Sequence, residues 1–385
     1  MKKAAVVGFG NIGFGVCRLL TQDHERIKKA APDYAGLKYI CDLRSFPDSE
    51  YGDKHIKDFD TVCADPEISV VIEVTGARRA AYEMTKKALC AGKSVVTSNK
   101  EVVAEYGEEL FRIAEENGVY YLFEAAVGGT IPIIRPLRDS VCADRVTAIY
   151  GILNGTTNYI LTEMSNNGSS YEDALQNAKR LGYAEPDPTA DVTGKDAARK
   201  IVILAACACG VIVTPDSVKT EGITGVSAED IYSAEEFGGK IKLIAYYKNS
   251  DNGIILGVKP FFVPNEHLLA GIDGVNNGIF VRCENAGDLL FAGKGAGSIP
   301  TAAAVVSDVI EAINGKARNF KWKKGDSTEE APGERVLAVF DGRVDIPQMR
   351  TVSYNNSKTK TITDRKTLSK LEKDGVRPVS VYELL

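Results

Sequence analysis

Two charged residues at the mouth of an apolar helical run are the first candidates for chemistry. Asp196 and Lys200 are four residues apart, a spacing that places both side chains on one face of a helix. The run 201–209 that follows is apolar, so the body of this helix is expected to be buried. A carboxylate and an ammonium group at the entrance of a buried helix favour a polar pocket, although an ordinary surface ion pair has the same spacing.

Further polar residues precede this helix. Glu185 and Asp191 lie in a loop that two prolines stiffen, where acids could bind a cationic group or simply form turns. Asn154, Gly155 and Thr156 follow a strand-like segment and begin a dense cluster of hydrogen-bond donors and acceptors. That cluster could face a polar substrate, or it could cap the next helix.

A glycine-rich turn lies near the start of the chain. Gly8, Gly10 and Gly13 form the pattern G-x-G-x-x-G between a short apolar run and a helical segment. In this pattern the first glycine permits a tight turn, the second admits a pyrophosphate and the third lets the helix pack closely on the strand. Backbone N–H groups at the helix start, where Asn11 and Ile12 lie, would hold the phosphates. The motif therefore predicts dinucleotide binding rather than a plain glycine turn.

Four other residues follow later predicted strands, at the sheet edge where ligands of such folds bind. They are Thr75, Gly76, Asn99 and Lys100. Lys100 alone would be interpreted as a charge flanking a helix. Asp42 ends the second predicted strand, where an acid usually accepts a hydrogen bond from the adenosine ribose. Arg44 could instead pair with a 2′-phosphate or lie on the surface, so the sequence leaves NAD and NADP open.

The elements that must position these residues alternate between strands and helices. Strands are predicted at 37–41, 70–74, 94–97 and 120–123, with helices at 80–91 and 102–116 among them. This alternation predicts an α/β protein whose amino-terminal part is a Rossmann domain, with a doubly wound parallel sheet.

Strand-like segments outnumber helices from about residue 130 to 300, which predicts an α+β substrate and dimerisation domain with a mixed sheet. A helix at 300–314, with Ser298 as its cap, is expected to return to the nucleotide domain. The expected boundaries are 1–130 plus 300–324 for the nucleotide-binding domain, 131–299 for the substrate-binding and catalytic domain, and 325–385 for an extension of unknown role. One strand, at 335–340, is predicted in that extension.

Composition narrows the class of protein. The 385 residues are 44% hydrophobic and 26% charged, with a formal charge of -5 and no basic tract, which argues against nucleic-acid binding. The longest apolar run, 201–213, is shorter than the roughly 18 residues of a membrane span. Eight scattered cysteines without a CxxC pair suggest reduced thiols rather than a zinc site. We therefore expect a cytoplasmic protein with a small-molecule substrate.

Seven segments, taken in order, resemble homoserine dehydrogenases. They lie at 8–13, 97–100, 124–132, 151–158, 182–188, 196–200 and 293–302. The stretches GILNGTTN at 151–158 and GYAEPDP at 182–188 are far more specific than the glycine motif. The resemblance covers roughly residues 3 to 320, and it includes Gly297 among the cofactor-binding residues.

The resemblance implies reversible nicotinamide-dependent reduction of L-aspartate 4-semialdehyde to L-homoserine, a step toward threonine, isoleucine and methionine. In the family pattern Lys200 and Lys100 lie at the reacting oxygen, with Lys200 as the favoured proton carrier. Glu185 and Asp196 match the acids that hold the substrate's ammonium group, and Asp191 lies in the same loop. The family pattern also implies a homodimer joined through the substrate domain.

The resemblance further implies a site for a monovalent cation such as sodium, built largely from backbone carbonyls. The matching residues are Glu124, Val127, Gly129 and Ile131.

Two features depart from the family pattern. The roughly 60 residues after Gly325 are few for the regulatory ACT domain that many members carry, which argues against threonine feedback through such a domain. The long segment 21–36 places Asp42 late in the sequence.

Two alternatives compete with this resemblance. Another amino-acid or semialdehyde dehydrogenase is disfavoured by the stretch 151–158. A catalytically silent dinucleotide-binding regulator would not need Lys100, Lys200, Asp196 and Glu185 together.

Overall fold

Alternating strands and helices form the amino-terminal part of the chain. The computed structural model describes residues 1–250, 253–328, 335–342, 344, 351–354 and 358–385. Within these ranges, six parallel strands pair in the order β3-β2-β1-β4-β5-β6, so the predicted doubly wound α/β sheet is confirmed. The elements are β1 (Lys2–Val7), α1 (Asn11–Gln22), α2 (His24–Ala30), β2 (Tyr34–Cys41), β3 (His55–Ile56), α3 (Phe59–Ala64), β4 (Ile68–Glu73), α4 (Arg78–Cys90), β5 (Ser94–Thr97), α5 (Lys100–Glu116) and β6 (Tyr121–Leu122).

This sheet is buried on both faces, which explains why its strands are apolar at almost every position. Ala4 to Val7 of β1 are at most 2% exposed, and their side chains alternate between two hydrophobic cores. The segment 21–36, which places Asp42 late in the sequence, is mostly helical. It contains the end of α1 and all of α2, and β2 begins after them. The late position of this acid therefore reflects an added helix rather than a shifted strand.

The middle of the chain forms a second, mixed sheet, as predicted. Its strand order begins β13-β12-β7-β10-β11 and continues into strands of the carboxyl-terminal segment. β9 is also paired to β11, and β8 and β14 form a separate pair. The elements are β7 (Val146–Ile152), α6 (Gly155–Asn167), α7 (Tyr171–Arg180), α8 (Thr189–Val192), α9 (Lys195–Cys209), β8 (Val211–Ile212), β9 (Lys219–Thr220), α10 (Ala228–Glu236), β10 (Gly239–Ser250), β11 (Gly253–Pro264), β12 (Asn276–Cys283), β13 (Gly287–Lys294), α11 (Ser298–Asn314) and β14 (Lys323–Lys324).

Helix α11 returns to the first sheet and packs on α1. The predicted capping role of Ser298 is wrong, since Gly297 occupies the N-cap position and no side chain caps this helix. The Ser298 hydroxyl instead donates to the carbonyl of Asn11 at 2.6 Å. The return segment is thereby tied to the start of α1.

The carboxyl-terminal segment contains more structure than the single strand predicted. Its elements are β15 (Arg335–Asp341), β16 (Thr351–Tyr354), β17 (Lys358–Asp364), α12 (Arg365–Lys373) and β18 (Ser380–Leu384). These four strands are antiparallel in the order β18-β15-β17-β16, and β18 also pairs with β11 in parallel. The prediction missed three strands and a helix because much of this segment is polar. Across the described ranges, no helix is long and apolar enough to cross a membrane.

Candidate active site

The glycine turn between β1 and α1 brings backbone atoms too close together for side chains. Gly8 has a φ of +97°, and a Cβ on it would lie 2.8 Å from the Thr75 Cα. A Cβ on Gly13 would lie 2.0 Å from the Gly8 carbonyl oxygen. Gly10 is different, because a Cβ there would meet nothing within 4 Å. Gly10 is also the N-cap of α1 and has no side-chain cap, so the first N–H groups of the helix face open space.

A cavity of about 340 Å³ lies beside this turn. It brings together residues from the ends of three strands, as expected for ligand binding at the carboxyl edge of a parallel sheet. Its lining consists of Gly10, Asn11, Ile12, Val74, Thr75, Gly76, Ser98, Asn99, Lys100 and Glu101. Gly297, a further predicted cofactor residue, directly precedes α11, whose Ser298 contacts Asn11. Open helix N–H groups and a glycine-lined wall fit the pyrophosphate of a dinucleotide.

A buried carboxylate that the sequence analysis missed organises this edge of the sheet. Glu73, at the end of β4, is 1% exposed and accepts hydrogen bonds from the Thr75 amide and hydroxyl and from the Thr97 hydroxyl, at 2.7 to 2.8 Å. The Thr97 hydroxyl in turn accepts from the Asn99 amide at 2.9 Å. Glu73 therefore joins two strand ends. Its sequence signal was an acid inside an otherwise apolar strand.

Asp42 and Arg44 form an ion pair at the end of β2. The carboxylate accepts from the Phe9 amide at 2.8 Å, and its other oxygen accepts from the Arg44 amide at 2.9 Å. The Arg44 guanidinium adds contacts to both carboxylate oxygens and holds the pKa of Asp42 well below its usual value. Both oxygens of the predicted ribose acceptor thus already have partners.

Asp196 lies between the two predicted catalytic lysines. Its Oδ2 is 2.7 Å from the Lys200 Nζ on the same helix, and its Oδ1 is 3.3 Å from the Lys100 Nζ at the start of α5. Burial alone would raise the pKa of Asp196, but the two ammonium groups hold that pKa well below its usual value. The ion pair predicted from the i, i+4 spacing therefore bridges the two sheets. Lys200 also donates to the Leu153 carbonyl at 2.7 Å.

Both the amide nitrogen and the carbonyl oxygen of the Asn154 side chain form hydrogen bonds within the protein. Its amide nitrogen donates to Asp191 at 2.7 Å and to Asp196 at 2.9 Å, while its carbonyl oxygen caps α6 by accepting from the Thr157 amide at 2.9 Å. Of the two alternatives left open by the sequence, the helix cap is confirmed for Asn154, and the substrate-facing role stays a prediction. Asn154 is a helix cap that also orients two carboxylates, and burial raises the pKa of Asp191.

The other predicted substrate-binding residues have varied surroundings. Thr156 donates its hydroxyl to the Tyr183 carbonyl at 2.6 Å, which ties α6 to the proline-containing loop. Gly155 packs against another loop, since a Cβ on it would lie 2.8 Å from the Val275 carbonyl oxygen. Glu185 is exposed, and no hydrogen bond or ion pair joins it to another described residue.

The segment predicted to hold a monovalent cation has a mixed character. The Glu124 carboxylate accepts from the backbone amides of Ile133, Ile134 and Arg135 at 2.6 to 2.8 Å, so its oxygens are occupied. Among described residues, however, no hydrogen bond is donated to the backbone carbonyls of the four predicted residues, Glu124, Val127, Gly129 and Ile131. Carbonyl oxygens without donors fit a hard cation. No cluster of His, Cys, Asp or Glu side chains within the described ranges could hold a metal ion.

A buried acid on α11 is another residue that the sequence analysis missed. Asp308 accepts from the Glu124 amide at 2.8 Å and lies 3.1 Å from Arg135. Despite Arg135, burial and the nearby Glu124 carboxylate raise the pKa of Asp308 to about 8. Asp308 thus joins α11 to the segment that leaves the first sheet.

Comparisons with known proteins identify one family. Family models match residues 132–310, as homoserine dehydrogenase, and residues 8–124, as the homoserine dehydrogenase NAD-binding domain. The chain is 40% identical over 312 residues to a homoserine dehydrogenase from Neisseria gonorrhoeae, covering 80% of this chain and 71% of that protein.

Solved structures agree as well. A homoserine dehydrogenase from Thiobacillus denitrificans superposes with a TM-score of 0.87 at 32% identity, covering 100% of this chain and 98% of the other. A hyperthermophilic archaeal homoserine dehydrogenase in complex with NADPH superposes with a TM-score of 0.71 at 27% identity, covering 83% and 100%. Neither alternative weighed from the sequence is favoured by these matches. The chain therefore belongs to the homoserine dehydrogenase family of nicotinamide-dependent oxidoreductases.

Proposed function

We propose that the protein catalyses the reversible reduction of L-aspartate 4-semialdehyde to L-homoserine in amino-acid biosynthesis. The observation that carries this proposal is the Lys100, Asp196 and Lys200 cluster beside the dinucleotide cavity, since Lys100 also lines that cavity. When bound, the nicotinamide cofactor supplies or accepts the hydride. The protein's task is then to orient the carbonyl carbon and to move one proton at its oxygen.

Lys200 is the proposed proton carrier. Its ammonium group has three hydrogens, and two of them are donated to Leu153 and Asp196. No described residue accepts the third. This hydrogen is available to the substrate oxygen, which gains a proton during reduction and loses one during oxidation. Lys100 and Asp196 complete the proposed catalytic set by fixing the charge and position of Lys200.

The substrate is a zwitterion, so carboxylates suit its ammonium group. We propose Asp191 and Glu185 as this binding pair, with the Asn154, Gly155 and Thr156 segment shaping the wall behind them. Asp196 is already engaged by two lysines and Asn154, so it is better placed to act on Lys200 than on the substrate.

The Asp42 and Arg44 pair supports NADP(H) as the preferred cofactor over NAD(H). The carboxylate that would accept the ribose hydroxyl of NAD already has partners at both oxygens, and the exposed guanidinium beside it suits a 2′-phosphate. Changing Arg44→Ala should raise KM for NADP+ by about tenfold or more, the cost of roughly 1.4 kcal/mol, and leave KM for NAD+ within about twofold. An equal effect on both cofactors would remove Arg44 from phosphate recognition.

Two further features are proposed. The free carbonyls of Glu124, Val127, Gly129 and Ile131 would hold a monovalent cation such as sodium, while the Glu124 carboxylate fixes the loop rather than the ion. A homodimer would form at β13, because this strand ends the second sheet and keeps Leu289, Leu290 and Phe291 only half-buried.

The proposed domain boundaries lie where the chain leaves the first sheet and where α11 returns to it. Residues 1–130 with 300–324 would bind the nucleotide, and 131–299 would bind the substrate and carry the catalytic helix. The described strands of 325–385 extend the second sheet. All eight cysteines are free, which supports the expected cytoplasmic location.

The direct test is oxidation of L-homoserine by the purified protein, with NADP+ and NAD+ run side by side. We expect absorbance of reduced nicotinamide to appear with L-homoserine and to be faster with NADP+. Folded protein that produces none with either cofactor would refute the proposed activity.

A further inference from the structure

One edge of β11 is shared by two short strands that leave a gap between them. β9 pairs with residues 257–258 of β11, whereas β18 pairs with 261–262. Lys259 and Pro260 lie between these pairings, and a proline has no N–H to donate to a neighbouring strand. A cavity of about 550 Å³ opens at this place, which is within the size range of small-molecule sites. We call this cavity the β11 gap.

The β11 gap lies between the second sheet and the carboxyl-terminal segment. Its wall also contacts the start of α9, since a Cβ on Gly194 would lie 3.0 Å from the Val258 Cγ1. Its lining includes the cations Lys219, Lys259 and Arg365 and the carboxylates of Glu221 and Glu383. Glu383 is already shared, with Lys259 at 2.8 Å on one oxygen and Arg365 at 3.1 Å on the other. The lining therefore carries one more positive than negative charge, and one of its two carboxylates is occupied.

Arg365 gives the clearest evidence for a ligand in this cavity. Its Nε is buried and has no hydrogen-bond partner among the described residues. A donor withdrawn from water without an acceptor is destabilising, and more so where the group is charged. The guanidinium offers its donors in a planar fork that fits two oxygens of one carboxylate or phosphate. Because Glu383 takes a donor from the terminal nitrogen, an acceptor for Nε must come from elsewhere.

We propose that the β11 gap binds a small anion bearing a carboxylate or phosphate group, held by Arg365 and Lys219. The gap is formed jointly by β9 and β11 of the second sheet and by α12 and β18 of the carboxyl-terminal segment. A bound anion would therefore fasten that segment to the sheet that also carries β7 and, through it, Asn154. No described residue lines both this site and the dinucleotide cavity.

Calorimetric titration of the full chain tests this proposal, with inorganic phosphate and succinate as separate probes. We expect at least one probe to bind, and Arg365→Gln to weaken its Kd by about tenfold or more, as loss of a charge-assisted contact predicts. Lys373→Gln is the matched control, because it removes one exposed cation from the far end of the same helix. Phosphate binding alone would identify a phosphate site, and succinate binding alone a carboxylate site.

Arg365→Gln also removes a partner of Glu383, so its fold needs a check. Turnover of homoserine should remain within about twofold of wild type, because in the described ranges Arg365 makes no hydrogen bond or ion pair with a proposed catalytic residue. If Arg365→Gln does not fold, Lys219→Gln takes its place, since it leaves the Glu383 contacts intact. Absence of binding by both probes at millimolar concentration would overturn the proposal. So would a Kd in the folded variant that matches the Lys373→Gln control.

Discussion

The two walls of the proposed active-site cleft are built by different means. On the cofactor wall, backbone atoms form the surface: Gly8 and Gly13 allow close approach, and Gly10 leaves helix N–H groups open. The surface of the catalytic wall is formed by side chains, among which Asn154 and Asp196 are joined to two lysines in one network of hydrogen bonds and ion pairs. The backbone wall depends on the absence of side chains, whereas the catalytic wall depends on each side chain having its partners. Substitutions should therefore separate cofactor binding from turnover.

The largest expected effect is on the catalytic wall alone. Lys200→Ala should lower kcat by about 10³-fold, because a positioned general acid or base contributes roughly 10² to 10⁴-fold. Cofactor affinity, measured by quenching or enhancement of reduced-nicotinamide fluorescence, should stay within about twofold of wild type. Lys195→Ala is the control, since it removes an exposed lysine from the same helix. A kcat near wild type in the Lys200 variant would exclude this residue from proton transfer.

A smaller effect is expected from the residue that orients the network. Asn154→Ser keeps a good N-cap for α6 but loses the two amide donations to Asp191 and Asp196. We expect kcat to fall by about 10 to 100-fold, the equivalent of the roughly 1 to 3 kcal/mol lost when a buried acceptor has no donor.

The Asn154 variant also has a distinctive pH signature. Hydrogen bonds from Asn154 lower the pKa values of both carboxylates, so their loss should move the acid limb of the pH-rate profile to higher pH. A merely structural role would lower the rate without moving that limb.

The two walls also differ in how well the sequence predicts them. The glycine turn of the cofactor wall was predicted well, because a glycine pattern between a strand and a helix is a local signal whose geometry is almost fixed. The catalytic wall was predicted as residues but not as contacts, since spacing places Asp196 beside Lys200 and says nothing about Lys100 or Asn154. Glu73 and Asp308 were missed, because a buried acid becomes recognisable only when the backbone amides and hydroxyls around it are known.

The carboxyl-terminal segment shows the limit of periodicity as a signal. Its strand β17 includes Thr359, Lys360 and Thr361, which are buried despite being polar. Lys360 lies between Glu229 and Glu236 of α10, at 2.7 and 2.8 Å. A sequence pattern cannot anticipate that a helix over 100 residues away supplies two carboxylates for a buried lysine.

A weaker effect, confined to the cofactor wall, should come from Gly10→Ala. Gly10 has a φ of −90°, which alanine adopts freely, and the added Cβ meets no protein atom within 4 Å. The fold should be unchanged, but the methyl group occupies the space of the pyrophosphate, so cofactor Kd should rise by about tenfold.

Gly13→Ala provides the matched comparison, because its Cβ would lie 2.0 Å from the Gly8 oxygen and must displace backbone. This variant should lose about 1 to 3 kcal/mol of stability, as overpacked sites do. Equal melting temperatures for the two alanine variants would contradict the distinction drawn between these glycines.

The last expected effect is on stability rather than on turnover or cofactor binding, and it arises where α11 meets the segment that leaves the first sheet. The pKa of Asp308 is raised to about 8 in the folded protein, whereas the pKa of an aspartate in the unfolded chain is about 3.9. Between these values the folded state binds the additional proton, so stability from this group falls as pH rises and is constant above about pH 8. Asp308→Asn cannot lose a proton, and its amide oxygen can still accept from the Glu124 N–H. The free energy of unfolding of this variant, relative to wild type, should therefore increase between about pH 4 and pH 8, as measured by urea denaturation at several pH values.

Glu25→Gln, on the exposed face of α2, controls for the change in net charge. A difference between Asp308→Asn and wild type that does not vary with pH would mean that Arg135 keeps Asp308 ionised, and that the two residues form an ordinary ion pair.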